Sequence, residues 1–338
     1  TAWNEGSVPT AADNVFGLPG SGALTIDAAA VARSVDLSQY SNTLTHAAAI
    51  ALSIGDATVG ANNNALKLSS TMTYTLGNST TSAISFVSTS TTPQAITWAG
   101  KTPGNVTFNG VGGSWLFEDE LSASSIILTL TTGTLNTNNQ AVTVSVFDSN
   151  NSNTRSLTLG ISILTVRYNS STAWNMSDSR NLTLSAESST INIAGPLSGM
   201  NVAGSSGSGQ TFNVVNITGN LCTLNAPGST FNTINRVGNT KISSLTISAD
   251  ITVTGTLTLN SSSATTRLLV QSNTVGTPRT ITAANVDIDN VDFMDITAAG
   301  AASPFTGVSL GDCGGNTNIT TDTPVPQTWT NTSGGTWS

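Results

Sequence analysis

Along this chain apolar and polar positions alternate in short bursts, and the bursts are separated by small, turn-forming residues. The stretch from Asn105 to Gly160 shows the unit most clearly. VTF, IILTL, AVTVSVF and SLTL are runs of period two, set between turns built from Gly, Asn, Ser and Asp. No apolar-periodic run lasts long enough to predict a substantial helix. From Ala65 onward the beat continues through ALKLSS, MTYTLG, AISFVS, AITWAG and NVTF, each about the length of a short strand. After Gly160 come ISILTVRY, NLTL, TINIAG, FNVVNITG, LCTLNA, SLTISADITVTGTLTLN and RTITAANVDIDNVDF. Leu245, Leu257, Leu268 and Ile281 recur at spacings of about 11 to 13 residues, the mark of stacked turns of uneven length.

The pattern predicts an all-β chain folded as a right-handed parallel β-helix, with short strands and variable turns. β-Sandwich domains would also give short strands and turn clusters. However, no shift in composition, Pro-rich linker or charge block divides the chain. Residues 1–24 read as an N-terminal cap, in which Trp3, Val15 and Phe16 cover the end of the stack while Pro9 and Pro19 discourage pairing at its edge. Residues 25–325 are expected to form the helix, and 326–338 a C-terminal tail. The Ala-rich runs Ala28–Ala32 and Ala47–Ala51 are predicted as strand, since small residues fit tight corners. The segment GSSGSG, from Gly204 to Gly209, reads as a protruding loop.

Composition sharpens this picture. Charged residues make up only 8% of the chain, so its surface is built of Ser, Thr, Asn and Gly. A net charge of −8 supplies no cationic footprint for phosphates, which argues against nucleic acid and against anionic lipid surfaces. No apolar run approaches the roughly 20 residues that span a bilayer, so no membrane insertion is expected. The Gly-rich loops lack the Lys-Ser/Thr partner of a phosphate cradle. Cys222 and Cys313 fit neither a disulfide framework nor a metal spacing and are read as free thiols.

Candidate chemistry is sparse. In NVDIDNVDFMD, from Asn285 to Asp295, inward-facing Val286, Ile288 and Val291 would leave Asp287 and Asp289 on one outer face, about 6–7 Å apart. That spacing suits inverting glycoside hydrolysis, which makes these two the candidate catalytic pair. Asp287, Asp289 and Asp292 are equally a candidate calcium set, and solvated carboxylates are the plainer reading. Glu118, Asp119 and Glu120 fall on an expected turn. His46 is the single histidine, so neither a Ser-His-Asp set nor a multi-His metal site can be assembled, and a structural role is expected. Trp98, Trp115 and Trp174 are assigned to core or corner packing. The Asn-x-Ser/Thr triplets at Asn78, Asn105, Asn175, Asn181 and Asn216 are chance matches in so Asn-rich a chain, and stacked Asn and Thr side chains inside successive turns are the better use for them.

TWAGKTPGNVTFNGVGGSW, ILTLTTGTLNTNN, NSNTRSLTLG, TAWNMS, VDFMDI, SLGDCGGNTNIT and the opening TAWNEGSVPTAADNV together resemble β-helical virion structural proteins of bacteriophages and prophages, notably of marine and cyanobacterial type. The resemblance runs over nearly the whole chain and implies that the pattern around Trp329 to Ser338 runs on into further sequence. It implies a tail fibre, tailspike-like appendage or capsid-associated fibre on the exterior of a virion, without enzyme activity and without cofactor. Implied partners are other virion proteins or host cell-surface glycans, with assembly as a homo-oligomer, commonly a trimer. The same texture occurs in bacterial surface adhesins, and some β-helical tailspikes degrade polysaccharide. These are the two alternative expectations.

Overall fold

The computed structural model describes residues 3, 6–169, 171–206, 209–238, 243–322, 328, 330 and 332–336. Among the described residues nearly all regular structure is strand, and every strand pairing is parallel. The chain coils into a β-solenoid of about 12 turns, the parallel β-helix that the alternation predicts. At about 4.8 Å per rung the stack is roughly 58 Å long. Among the described residues no helix is long and apolar enough to cross a membrane.

Alternation survives in this parallel sheet because each strand covers a core on one face and meets solvent on the other. Parallel strands flanked by helices instead bury both faces. Inward residues of successive turns stack into columns. One runs Leu52, Ile84, Val106, Leu128, Phe147, Trp174, Met200, Leu224 and Ile247, each register partner buried. A neighbouring column brings Phe86 and Phe108 into a stacked pair, with ring centroids 5.1 Å apart. Phe212 and Phe231 repeat the arrangement at 5.3 Å. Such contacts add about 0.5–1.5 kcal/mol each to area burial.

The strands Asn105–Phe117 and Leu121–Asn136 each wrap a corner and serve two faces. The first half of Asn105–Phe117 pairs with Ala83–Phe86, and its second half with Gln94–Thr97. The corner is where the glycines of NGVGGSW are needed. A Cβ at Gly113 would lie 2.6 Å from the Trp115 ring, and one at Gly133 would lie 2.7 Å from the carbonyl oxygens of Gly110 and Gly113. Only bare backbone leaves room there for a fully buried indole.

Several local expectations are corrected. The stack begins inside the expected cap, since Asn14–Phe16 already pairs with Ser34–Asp36 and Leu24–Ile26 with Thr43–His46. Ala30–Ala32 is a strand, but Ala47–Ala49 leads into and forms a turn, with Ala49 at φ 59°. Gly204 to Ser206 belong to the strand Ser198–Ser206, while 207–208 lie outside the described residues. Of the tail 326–338, residues 326–327, 329, 331 and 337–338 lie outside them too, and the others form no strand. The beat of Leu245, Leu257, Leu268 and Ile281 marks movement from face to face rather than a turn: Leu245 pairs with Val270, Leu257 with Val286 and Leu268 with Val291. True turns vary widely. Leu128 closes its turn on Phe147, whereas Leu52 reaches Ile84 only after a much longer path.

Candidate functional site

Asp287 and Asp289 do share the outer face of the strand Arg279–Met294, with Ile288 buried between them. Asp287 is exposed and accepts a 3.3 Å hydrogen bond from Asn260 Nδ2 on the preceding turn. Asp289 is half-buried, stacks on Asn260, and has one carboxylate oxygen without a hydrogen-bond partner. Left-handed Asn290, at φ 56°, then turns the strand, and Asp292 lies past that bend. It takes two bonds from Arg267 Nε, at 2.9 and 2.8 Å, while Arg267 also donates to Ser309 Oγ, Ser309 O and Val291 O. The calcium set Asp287, Asp289 and Asp292 is therefore not assembled: Asp292 is occupied by a guanidinium, and among the described residues no three acidic, histidine or cysteine side chains group as metal ligands.

Glu118, Asp119 and Glu120 lie on the bend between two long strands, as expected. Asp119 is committed to that bend's neighbour. Its oxygens accept from the backbone N–H groups of Trp98 at 2.7 Å and Ala99 at 2.6 Å, pinning a turn in which Ala99 and Gly100 are left-handed. His46 is fully buried, with Nε2 3.0 Å from the Ile50 carbonyl and Nδ1 2.9 Å from the Tyr74 hydroxyl. A carbonyl only accepts, so Nε2 carries the proton and Nδ1 accepts from Tyr74. Burial pushes the His46 pKa below its ordinary value and the Tyr74 pKa above its own, which keeps both neutral. Trp98, Trp115 and Trp174 are all core residues. Their indole N–H groups find no protein acceptor. Cys222 is buried and Cys313 exposed, and both are free.

Two concavities stand out. A polar groove of about 630 Å³ lies on an outer face, where Asp36, Lys67 and Thr97 stack in register and Glu118 follows one rung on. Asn62 and Asn63, both left-handed, form part of its wall. Asp36 and Glu118 are three rungs apart, roughly 14 Å between their Cα atoms. The groove offers amide groups and charges of both signs for contact. Asp287 and Asp289 do not line it.

The second is an apolar cavity of about 430 Å³ in the first turns of the solenoid, walled by Leu24, Leu44, Leu66, Leu68, Ile84 and neighbouring side chains. Sealed and dry, a void of that size would cost roughly 10 kcal/mol at about 24 cal/mol per Å³, comparable to the whole stability of an ordinary domain.

Composition and spacing leave two buried arginines unassigned. Arg155 and Arg236 are buried inside an otherwise apolar wall. Arg155 donates through Nε to Ser149 Oγ at 2.6 Å, and through its two Nη atoms to the carbonyls of Ser149, Asn153, Asp178 and Arg180. Because Arg155 pairs with Leu182, those carbonyls belong to two successive turns, and the guanidinium clamps them together. Arg236 does likewise with the carbonyls of Ile217, Asn220, Val237 and Ser244. The sign of such a site in sequence is an Arg on the inward parity of a strand, as in RSLT and INRVG. The expected Asn ladder exists, but on the outer face rather than inside the turns. Asn235 Nδ2 donates to Asn216 Oδ1 at 2.8 Å, Asn216 to Asn192 at 2.8 Å, and Asn192 to Thr165 Oγ1 at 3.2 Å. A second ladder joins Asn225 to Asn201 at 2.9 Å, and on the same column Asn175 donates to Asp148 at 2.8 Å. Outward parity follows from TINI, where Ile191 and Ile193 take the core.

No family model, curated protein or solved structure matches this chain.

Proposed function

We propose that this chain is a rigid structural shaft, a fibre or appendage on the exterior of a phage particle, that holds its outer faces and corner loops toward a host surface or neighbouring subunits. The observation that carries the reading is the parallel ladder of about 12 turns. Its core columns, carbonyl clamps and outer Asn ladders all tie one turn to the next. Such a stack resists bending and local opening, because every interior turn is buried by two neighbours. An outer surface of uncharged polar groups suits weak contacts repeated over many copies, which gain strength by multivalency. The resemblance of the sequence to β-helical virion proteins supports the choice of particle. Assembly in several copies, as a trimer, and contact with other virion proteins or host glycans belong to the same proposal.

Labelling intact particles with an antibody against this chain, followed by electron microscopy, tests it. The expected result is label along a projecting or capsid-linked fibre. Recovery of the chain only as a free intracellular protein would overturn the proposal. Release of oligosaccharide from host glycans by the purified chain would replace a purely structural role with a degrading one.

A further inference from the structure

The apolar cavity near the N-terminal end plays no part in stiffening the shaft, and its chemistry is independent of that role. Its deep wall is made by Leu37, Leu44, Leu66, Leu68 and Ile84, residues from several successive turns that are 1–4% exposed. Ala30 and Ala32, small residues on the inward parity of one strand, also line it. Among the described residues each first-turn strand, Asn14–Phe16, Leu24–Ile26 and Ala30–Ala32, has a partner on one side only. On the unpaired side Trp3, Val8 and Pro9 complete the wall. Asp27 and Thr25 stand at the exposed rim, and among the described residues no cationic side chain lines the cavity.

Chemistry narrows the occupant. Water needs two to four polar partners in such a space. The wall is hydrocarbon, and the hydroxyl hydrogen of lining Tyr74 is already given to His46. A second copy of the rod abutting this end would seal the mouth without filling a space that runs several turns deep. A carboxylate-headed chain would meet Asp27 and find no cation. The volume of about 430 Å³ lies within the roughly 300–1,000 Å³ of small-ligand sites. We propose that this cavity binds a slender, uncharged hydrocarbon chain, such as the alkyl part of a neutral lipid or long-chain alcohol, with its polar end at the Thr25–Asp27 rim.

Titration of the purified chain with the neutral dye N-phenyl-1-naphthylamine, followed by displacement with dodecanol or dodecanoate, tests this. The expected result is saturable fluorescence at one dye per chain, displaced by dodecanol at least tenfold more effectively than by dodecanoate. Dodecanol should also raise the melting temperature in a saturable way. Ala30→Phe fills the cavity and should weaken dye binding at least tenfold with an unchanged circular dichroism spectrum. Ala32→Leu is the milder second variant should Ala30→Phe fail to fold. Absence of saturable binding to the wild type, or equal binding by a folded filled variant, would overturn the proposal. So would equal displacement by dodecanoate, which would mean a site indifferent to charge. Sedimentation at the assay concentration supplies the last arm: a dimer whose formation abolishes dye binding would make a second copy the occupant and defeat the proposal.

Discussion

Asn216 sits in the middle of an outer ladder, and the direction of its two hydrogen bonds can be read in a single substitution. Its amide nitrogen donates to Asn192 Oδ1 and its oxygen accepts from Asn235, both at 2.8 Å. Asn216→Ala removes both bonds. At about 0.5–1.5 kcal/mol each, and with water able to reach this half-buried position, the cost should be about 1–2 kcal/mol. Asn216→Asp is the more searching change. An ionised carboxylate still accepts from Asn235 but faces the Asn192 oxygen with a lone pair in place of a donor. A protonated carboxyl donates to Asn192 and accepts from Asn235, so it restores the ladder. The folded state thus binds the proton more tightly than the unfolded chain, whose carboxyl titrates near about 3.9. Linkage then fixes the sign. Native-like stability is present below that unfolded value and is lost as pH rises through the raised folded value. Thermal and urea melts of wild type, Asn216→Ala and Asn216→Asp at pH 3 and pH 7 measure this, each variant against wild type at the same pH. Hydrogen exchange across Thr190–Ile193, Thr211–Ile217 and Thr230–Gly238 locates the loss. An Asp variant equally destabilised at both pH values would refute the assigned donor direction. An Ala variant indistinguishable from wild type would refute an energetic role for the ladder.

Three further outcomes are expected. His46, held neutral by burial, should make the wild type lose stability as pH falls through about 6.5, because the unfolded chain then takes up a proton that the folded chain refuses. Melting-temperature profiles from pH 7.5 to 5 should show this slope, and His46→Gln should flatten it. Arg155→Met, which strands one hydroxyl and four carbonyls at a buried corner, should cost about 3 kcal/mol or more in urea melts, and Arg155→Lys should recover only part because an ammonium has fewer donors. Ellman's reagent should titrate one thiol, Cys313, in the native protein and reach Cys222 only on unfolding; two rapid thiols, or none, would contradict the burial seen here.

Alternation alone makes the solenoid legible, because a strand that faces a core on one side only writes its parity into the sequence. The length of a turn is not legible in the same way. The spacing of Leu245, Leu257, Leu268 and Ile281 suggests that a turn closes from one of these residues to the next, yet Leu245 closes its turn on Val270. Apolar residues recur on every face, so their nearest repeat is a step between faces. Ala47–Ala49 misleads for another reason: propensity and alternation say nothing of a left-handed residue such as Ala49, which tertiary closure imposes. Asp287 and Asp289 emerge on one face as their parity demands, because strand parity is local. Asp292 does not join them, since the bend at Asn290 and the competing guanidinium of Arg267 depend on the fold. The buried arginines escape a reading of the sequence because charge is ordinarily assigned to the surface. Their carbonyl partners come from a turn that no local window contains.

The uneven length of the turns has a consequence for how such a molecule can change. The short turn from Leu128 to Phe147 and the long one from Leu52 to Ile84 advance the axis by the same single strand separation, because register is set by the columns and the surplus is spent at corners. Distance along the rod is therefore counted in rungs and is indifferent to insertion or deletion between them. The solenoid behaves as a ruler with fixed graduations and interchangeable labels. A corner can be lengthened, replaced or decorated while every other corner keeps its place.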